Sequence, residues 1–269
     1  MDVVHVGTGT FPDDAADPDL RRFLPAVTQS RVRLRLLGGF AVVVDGQRVE
    51  LPPAAERLVA FLGLMGRSTR SRAAGTLWPD SSQDRAAACL RTAIWRVSQS
   101  VDGLVSANRS WVELDPAVQV DARRYLSAAT AGLFSDSQTP AADVRAVIGY
   151  DGDLLPDRDD EWILAERERL RQLRLHLLEV EVERLSTAGS YGPALDAALA
   201  ALAADPLRES VHRAIIGIHL AEGNPAQAQR AYLACRQMLA DDLGVEPSDA
   251  TIRLVRPILP SQVRPGPSQ

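Results

Sequence analysis

From Arg31 the chain alternates apolar and polar positions, then lengthens its period. Val32, Leu34 and Leu36 alternate with Arg33 and Arg35, the pattern of a half-buried strand. Gly38-Gly39 interrupts it, and Phe40 to Val44 reads as a second strand. Asp45-Gly46 is a strong hairpin-turn signal, and Val49 and Leu51 close a short third strand before Pro52-Pro53. Leu58, Val59, Leu62 and Met65 then follow a 3.6-residue period and predict a helix over 54–65. Ser71 is expected to cap a short helix that ends at Leu77, before Trp78-Pro79. Ser81 or Ser82 opens a longer helix to about Val101, with Gly103 just past its end. Val105 to Leu114 reads as two short strands about Ala107-Asn108-Arg109-Ser110, where Asn108 suits a positive φ. Strands, helices and a closing hairpin in this order outline a winged helix-turn-helix, and the leading sheet marks the response-regulator type.

Residues 1–30 carry Gly, Pro and Asp with little periodicity and are expected to be a disordered lead. The domain linker is placed within 116–142, with a helix over 121–133 and a loop over 135–140. Beyond Pro156 the pattern is helical. One long helix over 161–185 has Leu164, Leu170, Leu173, Leu177, Val180 and Leu185 among its apolar positions. Gly189 and Gly223 then stand 34 residues apart, the period of tetratricopeptide repeats. Tyr191, Ala194, Ala201 and Pro206 fit that pattern, and the second copy has Ala228 and Tyr232, with Pro225 and Cys235 replacing Tyr191 and Ala201. The expected fold is mainly α with a small β component. It comprises a disordered lead over 1–30, a winged helix-turn-helix over 31–118, an all-α tetratricopeptide-like domain over 119–259 and a disordered tail over 260–269.

Composition refines this picture. The chain has no lysine, so all 30 basic residues are arginine, the residue that grips phosphate and guanine with a planar fork. Net charge is −5, but from Arg31 to Asp115 there are 12 arginines against 8 carboxylates, while the remainder has 18 against 27. A basic module joined to an acidic one fits a DNA reader tied to a protein-binding domain. There is no membrane-length apolar run and no signal peptide, so a cytoplasmic, nucleoid-associated protein is expected. Cys89 and Cys235 read as small buried hydrophobes, and His5, His176, His212 and His219 as packing or surface residues without metal-ligand spacing. Asp151, Asp153, Asp157, Asp159, Asp160 and Glu161 form an acidic cluster, read as turn and capping residues rather than as a metal site. No cofactor or catalytic residue is expected, and the chain is not read as an enzyme.

The candidate chemistry lies on the helix over 83–101. Leu90, Ala93 or Ile94, Val97 and Val101 form a stripe that docks on the core. Arg85, Arg91, Thr92, Trp95, Arg96 and Gln99 lie on or beside the opposite face, as a major-groove recognition helix requires. Arginine on guanine is worth roughly 1–3 kcal/mol of discrimination. Arg109, with Asn108 at the hairpin tip, is placed like a wing arginine that enters the minor groove or grips the backbone.

Three segments, Leu34-Arg-Leu-Leu-Gly-Gly-Phe40, Leu77-Trp-Pro-Asp80 and Leu90-Arg-Thr-Ala-Ile-Trp-Arg96, resemble the DNA-binding half of the Streptomyces antibiotic regulatory proteins. Gly152-Asp-Leu-Leu-Pro156, Trp162-Ile-Leu-Ala-Glu-Arg-Glu-Arg-Leu170 and Asp205-Pro-Leu-Arg-Glu-Ser210 resemble their bacterial transcriptional activator domain. So do Ala221-Glu-Gly-Asn224 and Leu243-Gly-Val-Glu-Pro247. The resemblance covers about 31–259. It implies an actinobacterial activator, often of a secondary-metabolite cluster, that binds direct repeats in double-stranded DNA near a promoter. It also implies contact with RNA polymerase and its principal sigma factor, and a homodimer through the helical domain. Larger relatives add an ATPase domain, whose Gly-x-x-x-x-Gly-Lys loop a lysine-free chain lacks. The alternative reading is a tetratricopeptide-like scaffold whose winged helix binds protein.

Overall fold

The computed structural model describes residues 31–134, 142–150 and 152–259. The expected lead, the loop over 135–140, His5, Asp151 and the tail lie outside the described residues. Alternation builds β1 (Val32–Arg35), which pairs antiparallel with β2 (Ala41–Val44) from Val32–Val44 to Arg35–Ala41. β3 (Gln47–Val49) pairs with β2 across Asp45-Gly46. Both turn residues have positive φ, 51° and 84°, as a two-residue hairpin turn matched to strand twist requires. On the other edge, β7 (Gln119–Val120) runs parallel to β1, giving the order β3-β2-β1-β7.

Helix α1 (Pro53–Met65) buries Leu58, Val59, Phe61 and Leu62. At Gly63 it packs tightly on Leu34 and Leu36, where a Cβ would stand 2.7 Å from Leu34 Cδ2 and 3.0 Å from Leu36 Cδ1. Helix α2 (Arg70–Leu77) begins earlier than the sequence pattern suggested. Thr69, not Ser71, is its cap, with Oγ1 accepting from the Arg72 N–H at 3.3 Å. That shift follows from β4 (Ser68–Thr69), a two-residue strand too short to leave a period in the sequence. α3 (Gln83–Ser100) follows Ser82, whose side chain makes no capping bond, and leads into β5 (Val105–Ala107) and β6 (Trp111–Leu114). These strands form a second sheet in the order β4-β6-β5.

Residues beyond 118 continue the first compact unit. Helices α4 (Asp121–Leu133) and α5 (Ala142–Gly149) follow β7, and the unit runs through Leu170, with Leu133 and Phe134 assigned to the second. Arg123 donates from Nε to the Gly63 carbonyl at 2.7 Å and from Nη2 to Leu62 at 2.6 Å, satisfying carbonyls at the end of α1. Gly38 N–H donates to Asp153 O at 2.8 Å and Leu155 N–H to Leu36 O at 2.9 Å. Two segments picked out separately in the sequence, Gly38-Gly39 and Gly152–Pro156, thus hydrogen-bond to each other. Arg167 holds the second, donating to the carbonyls of Leu154, Leu155 and Arg158 at 3.0, 2.7 and 2.8 Å. Within the acidic cluster, Asp160 pairs with Arg57 of α1, and Arg158 pairs with Glu56.

Helix α6 (Glu161–Thr187) begins in this unit and continues from Arg171 into the second. Not all of its apolar positions are buried. Ile163, Leu175, Leu178 and Val182 are buried with Leu170 and Leu177, whereas Leu164 and Val180 are exposed. Ile163, Leu170 and Leu177 are spaced seven residues apart on one face of the helix, and Leu175, Leu178 and Val182 widen that face in its second part.

The second unit adds α7 (Tyr191–Ala204), α8 (Glu209–Ala221), α9 (Pro225–Leu243) and α10 (Asp249–Val255). The 34-residue period is present in the backbone. Gly189 and Gly223 have φ of 70° and 75°, and each is followed by an N–H that reaches back to close the preceding helix. Those bonds are Ser190 to Leu185 at 2.9 Å and Asn224 to His219 at 2.8 Å. Ala194 and Ala228 are fully buried, as are Ala201 and Cys235. Cys89, by contrast, is only half-buried, because it lies beside the α3 docking stripe rather than on it. His212 is buried and its Nε2 donates to the Pro206 carbonyl at 2.8 Å. Glu209 joins α8 to α10, accepting from Ser248 N at 2.8 Å and from the hydroxyls of Ser248 and Thr251 at 2.5 Å. Among the described residues no helix is long and apolar enough to cross a membrane.

Candidate nucleic-acid interface

Helix α3 is divided lengthwise. Ala86, Leu90, Ala93 and Val97 are buried, with Ala93 rather than Ile94 on the docking stripe. Every i, i+3 or i+4 step along that row keeps the same side against α1 and α2. Arg85, Arg91, Thr92, Trp95, Arg96 and Gln99 all stand exposed on the remaining surface. Trp95 is 60% exposed, so its ring is not packed into the domain. An indole left this open contributes little to folding and offers a flat apolar surface for a partner.

Hydrogen bonding narrows what the polar members can do. The Thr92 hydroxyl donates to the Ala88 carbonyl at 3.1 Å. Its oxygen is left as an acceptor, suited to a base amino group and not to a phosphate oxygen. Ser98 donates to Trp95 O at 2.8 Å and Ser100 to Arg96 O at 3.1 Å. The last turn of α3 therefore turns its hydroxyls inward and leaves Arg96 and Gln99 as its outward polar groups.

The hairpin after α3 carries Arg109 exposed at its turn. Asn108 does not take the positive φ expected of it; among the described non-glycine residues only Asp45 and Leu155 do. Its side chain closes the turn instead. Oδ1 accepts from the N–H of Ser110 at 2.8 Å and of Trp111 at 3.0 Å, which removes the need for a left-handed residue. This carbonyl oxygen is occupied within the turn, so Asn108 shapes the tip. Beneath it the Arg67 guanidinium lies 4.1 Å from the Trp111 ring centroid.

Sequence reasoning passed over the start of α2. Thr69, Ser71 and Arg72 are exposed there, beside Arg70, and no acidic residue occupies the first turn. The signal was present as three basic residues, Arg67, Arg70 and Arg72, ahead of an alanine-rich stretch. Together the exposed side of α3, the start of α2 and the hairpin turn gather Arg70, Arg72, Arg85, Arg91, Arg96 and Arg109 within one folded unit. Among the described residues no group of three or more His, Cys, Asp or Glu is arranged to hold a metal ion.

Comparison with known proteins gives a family match, two relatives and one similar solved structure. Residues 120–259 match the family model of the bacterial transcriptional activator domain. The chain is 28% identical over 243 residues to the regulatory protein AfsR of Streptomyces coelicolor, a match covering 85% of this chain and 24% of AfsR. The regulatory protein AfsR of Streptomyces griseus is 28% identical over 211 residues, with 73% and 21% covered. The chain thus spans about a quarter of the length of these relatives. Among solved structures, Mycobacterium tuberculosis EmbR, determined in complex with a low affinity phosphopeptide, superposes with a TM-score of 0.70 at 20% identity. That likeness covers 85% of this chain and 65% of EmbR, and it is a likeness of fold.

Proposed function

Because the chain belongs to the bacterial transcriptional activator domain family, we propose that it is a sequence-specific DNA-binding regulator of transcription. In this reading residues 31–118 are a winged helix-turn-helix of the response-regulator type. Helix α3 is its recognition helix and β5–β6 its wing. The helices that follow are tetratricopeptide-like and meet protein partners. The observation that carries the proposal is the division of α3: one buried apolar row, and an opposite face with Arg85, Arg91, Thr92, Trp95, Arg96 and Gln99 all exposed. Such a face reaches base edges in a major groove while the wing arginine, Arg109, reaches the minor groove or backbone.

The resemblance to the Streptomyces antibiotic regulatory proteins extends the reading. The chain activates a gene cluster, commonly one of secondary metabolism, from direct repeats in double-stranded DNA near a promoter. It recruits RNA polymerase with its principal sigma factor, and it pairs with a second copy through the helical domain. It works without a cofactor, in the cytoplasm on the nucleoid.

The test is binding of the chain and of Arg91→Ala to DNA from the chain's own upstream region, across a salt series. Specific binding with a steep salt slope, and a loss of roughly 1–3 kcal/mol in the variant, supports the proposal. No binding by the wild type at low salt favours a protein-docking winged helix instead.

A further inference from the structure

Arg70, the first residue of α2, holds the hairpin turn through two of its groups. Its backbone N–H donates to the Ser110 carbonyl at 3.0 Å, and its Nη1 donates to the Asn108 carbonyl at 3.2 Å. Arg109 lies between the two carbonyls that Arg70 binds. From inside the turn, Asn108 Oδ1 accepts from Ser110 and Trp111. Further down the hairpin, β4 pairs with β6 at Ser68–Val112 and Thr69–Trp111, and Arg67 covers the Trp111 ring. Residues 67–70 thus hold the tip half of the hairpin, from Asn108 to Val112.

The position of Arg70 is informative. A cation at the first residue of a helix opposes the helix dipole, and no acidic residue in the first turn of α2 offsets it. The turn carbonyl supplies that partner, and a charged donor makes the stronger kind of hydrogen bond to it. We propose that Arg70 is a positioning residue. It gives its guanidinium to the hairpin turn and sets where Arg109 stands relative to α3, rather than gripping DNA itself. This inference rests on the DNA-binding reading above.

A double-mutant cycle in the full chain tests it, with Arg109→Ala, Arg70→Met and the double variant measured against the same upstream DNA across salt. Methionine keeps the stem and the backbone N–H. Arg109→Ala is expected to weaken binding by roughly tenfold and to lower the salt slope by about one. Arg70→Met is expected to lose up to the same amount, and the double variant to bind no more weakly than Arg109→Ala alone. Asn108→Ala loosens the turn from the inside, and its loss is likewise expected to vanish in the Arg109→Ala background. Thermal melts check that each variant is folded.

Multiplied losses, with the slope lowered by about two in the double variant, would mean that Arg70 meets a phosphate and would overturn the proposal. Wild-type binding by Arg70→Met overturns it as well. Absence of DNA binding by the wild type defeats the functional reading first, and this inference with it.

Discussion

Asp121 and Leu36 stand 85 residues apart, and the Asp121 carboxylate closes the end of β1 on the Leu36 backbone. Oδ1 accepts from Leu36 N–H at 2.9 Å, while Oδ2 accepts from Leu37 N–H at 3.1 Å and Oδ1 from Ala122 N–H at 2.6 Å. One side chain at the first position of α4 thereby satisfies backbone donors where the strand ends. These would otherwise be left unpaired next to the core, at a cost of about 1–3 kcal/mol each.

The same carboxyl gives a pH dependence. Burial pushes it up from 3.8 to about 6, against the downward pull of the three backbone N–H groups and Arg35. The folded state therefore holds a proton that the unfolded state releases between these values, and stability from this group falls as pH rises through that window. A difference of this size corresponds to roughly 3 kcal/mol at most. Urea denaturation of wild type and Asp121→Asn from pH 4 to 7 is expected to show the wild type losing ground to the variant as pH rises. A constant difference across the series would sink the assignment.

Glu179 predicts the opposite slope. Burial alone would raise its carboxyl, but Arg208 and Ser210 outweigh burial and hold it below its ordinary 4.5. Arg208 binds it through two nitrogens, at 3.0 and 2.8 Å, and also reaches Gln172 at 3.3 Å. This stabilisation is complete above pH 4.5 and is lost as pH falls through the lowered value. Glu179→Gln is expected to cost about 2 kcal/mol at pH 7 and progressively less in acid. A gap that widens on acidification would contradict the pairing.

How much of this was legible in advance depended on sequence separation. Asp45-Gly46, the α1 period and the α3 docking row are local patterns, and each was read from neighbouring residues. The hydrogen bonds of Asp121 to Leu36 and of Gly38 to Asp153 are long-range, and neither leaves a periodicity. β4 and β7 are two residues long, below the length at which alternation means anything. On α6 the apolar residues Leu164 and Val180 lie off the face that Ile163, Leu170 and Leu177 share, and they stand exposed. In the candidate site, the exposed face of α3 followed from helical period alone. The tasks of Asn108 and Arg70 did not, since both depend on how a turn is tied to a distant helix start.

Two glycines on or just past α8 should respond in opposite directions to alanine. Gly217 sits inside the helix with nothing within 4 Å of an added Cβ. Gly217→Ala is expected to stabilise by about 0.5–1 kcal/mol through helix propensity. Gly223 has equally open space but a φ of 75°, where an L side chain is strained, so Gly223→Ala is expected to destabilise by about 1 kcal/mol. Gly189→Ala should cost as much as Gly223→Ala, because both close the same repeat turn. Thermal melts of the three variants decide the matter, and a stabilised Gly223→Ala would remove the left-handed cap from the account.

Leu90 and Trp95 separate folding from binding on one helix. Leu90 is 1% exposed on the docking row, and removing its side chain leaves a cavity that costs about 2–5 kcal/mol. Trp95 is larger, yet at 60% exposure it holds little of its surface against the protein, so Trp95→Ala is expected to change stability by less than about 0.5 kcal/mol. Sequence conventions that rank tryptophan as core would predict the reverse order. If α3 lies in a groove, Trp95→Ala instead lowers DNA affinity at unchanged Tm, whereas Leu90→Ala lowers both through unfolding. A Trp95→Ala variant with wild-type Tm and wild-type affinity would move the ring off the DNA face. It would then have to be read as a contact for a protein partner.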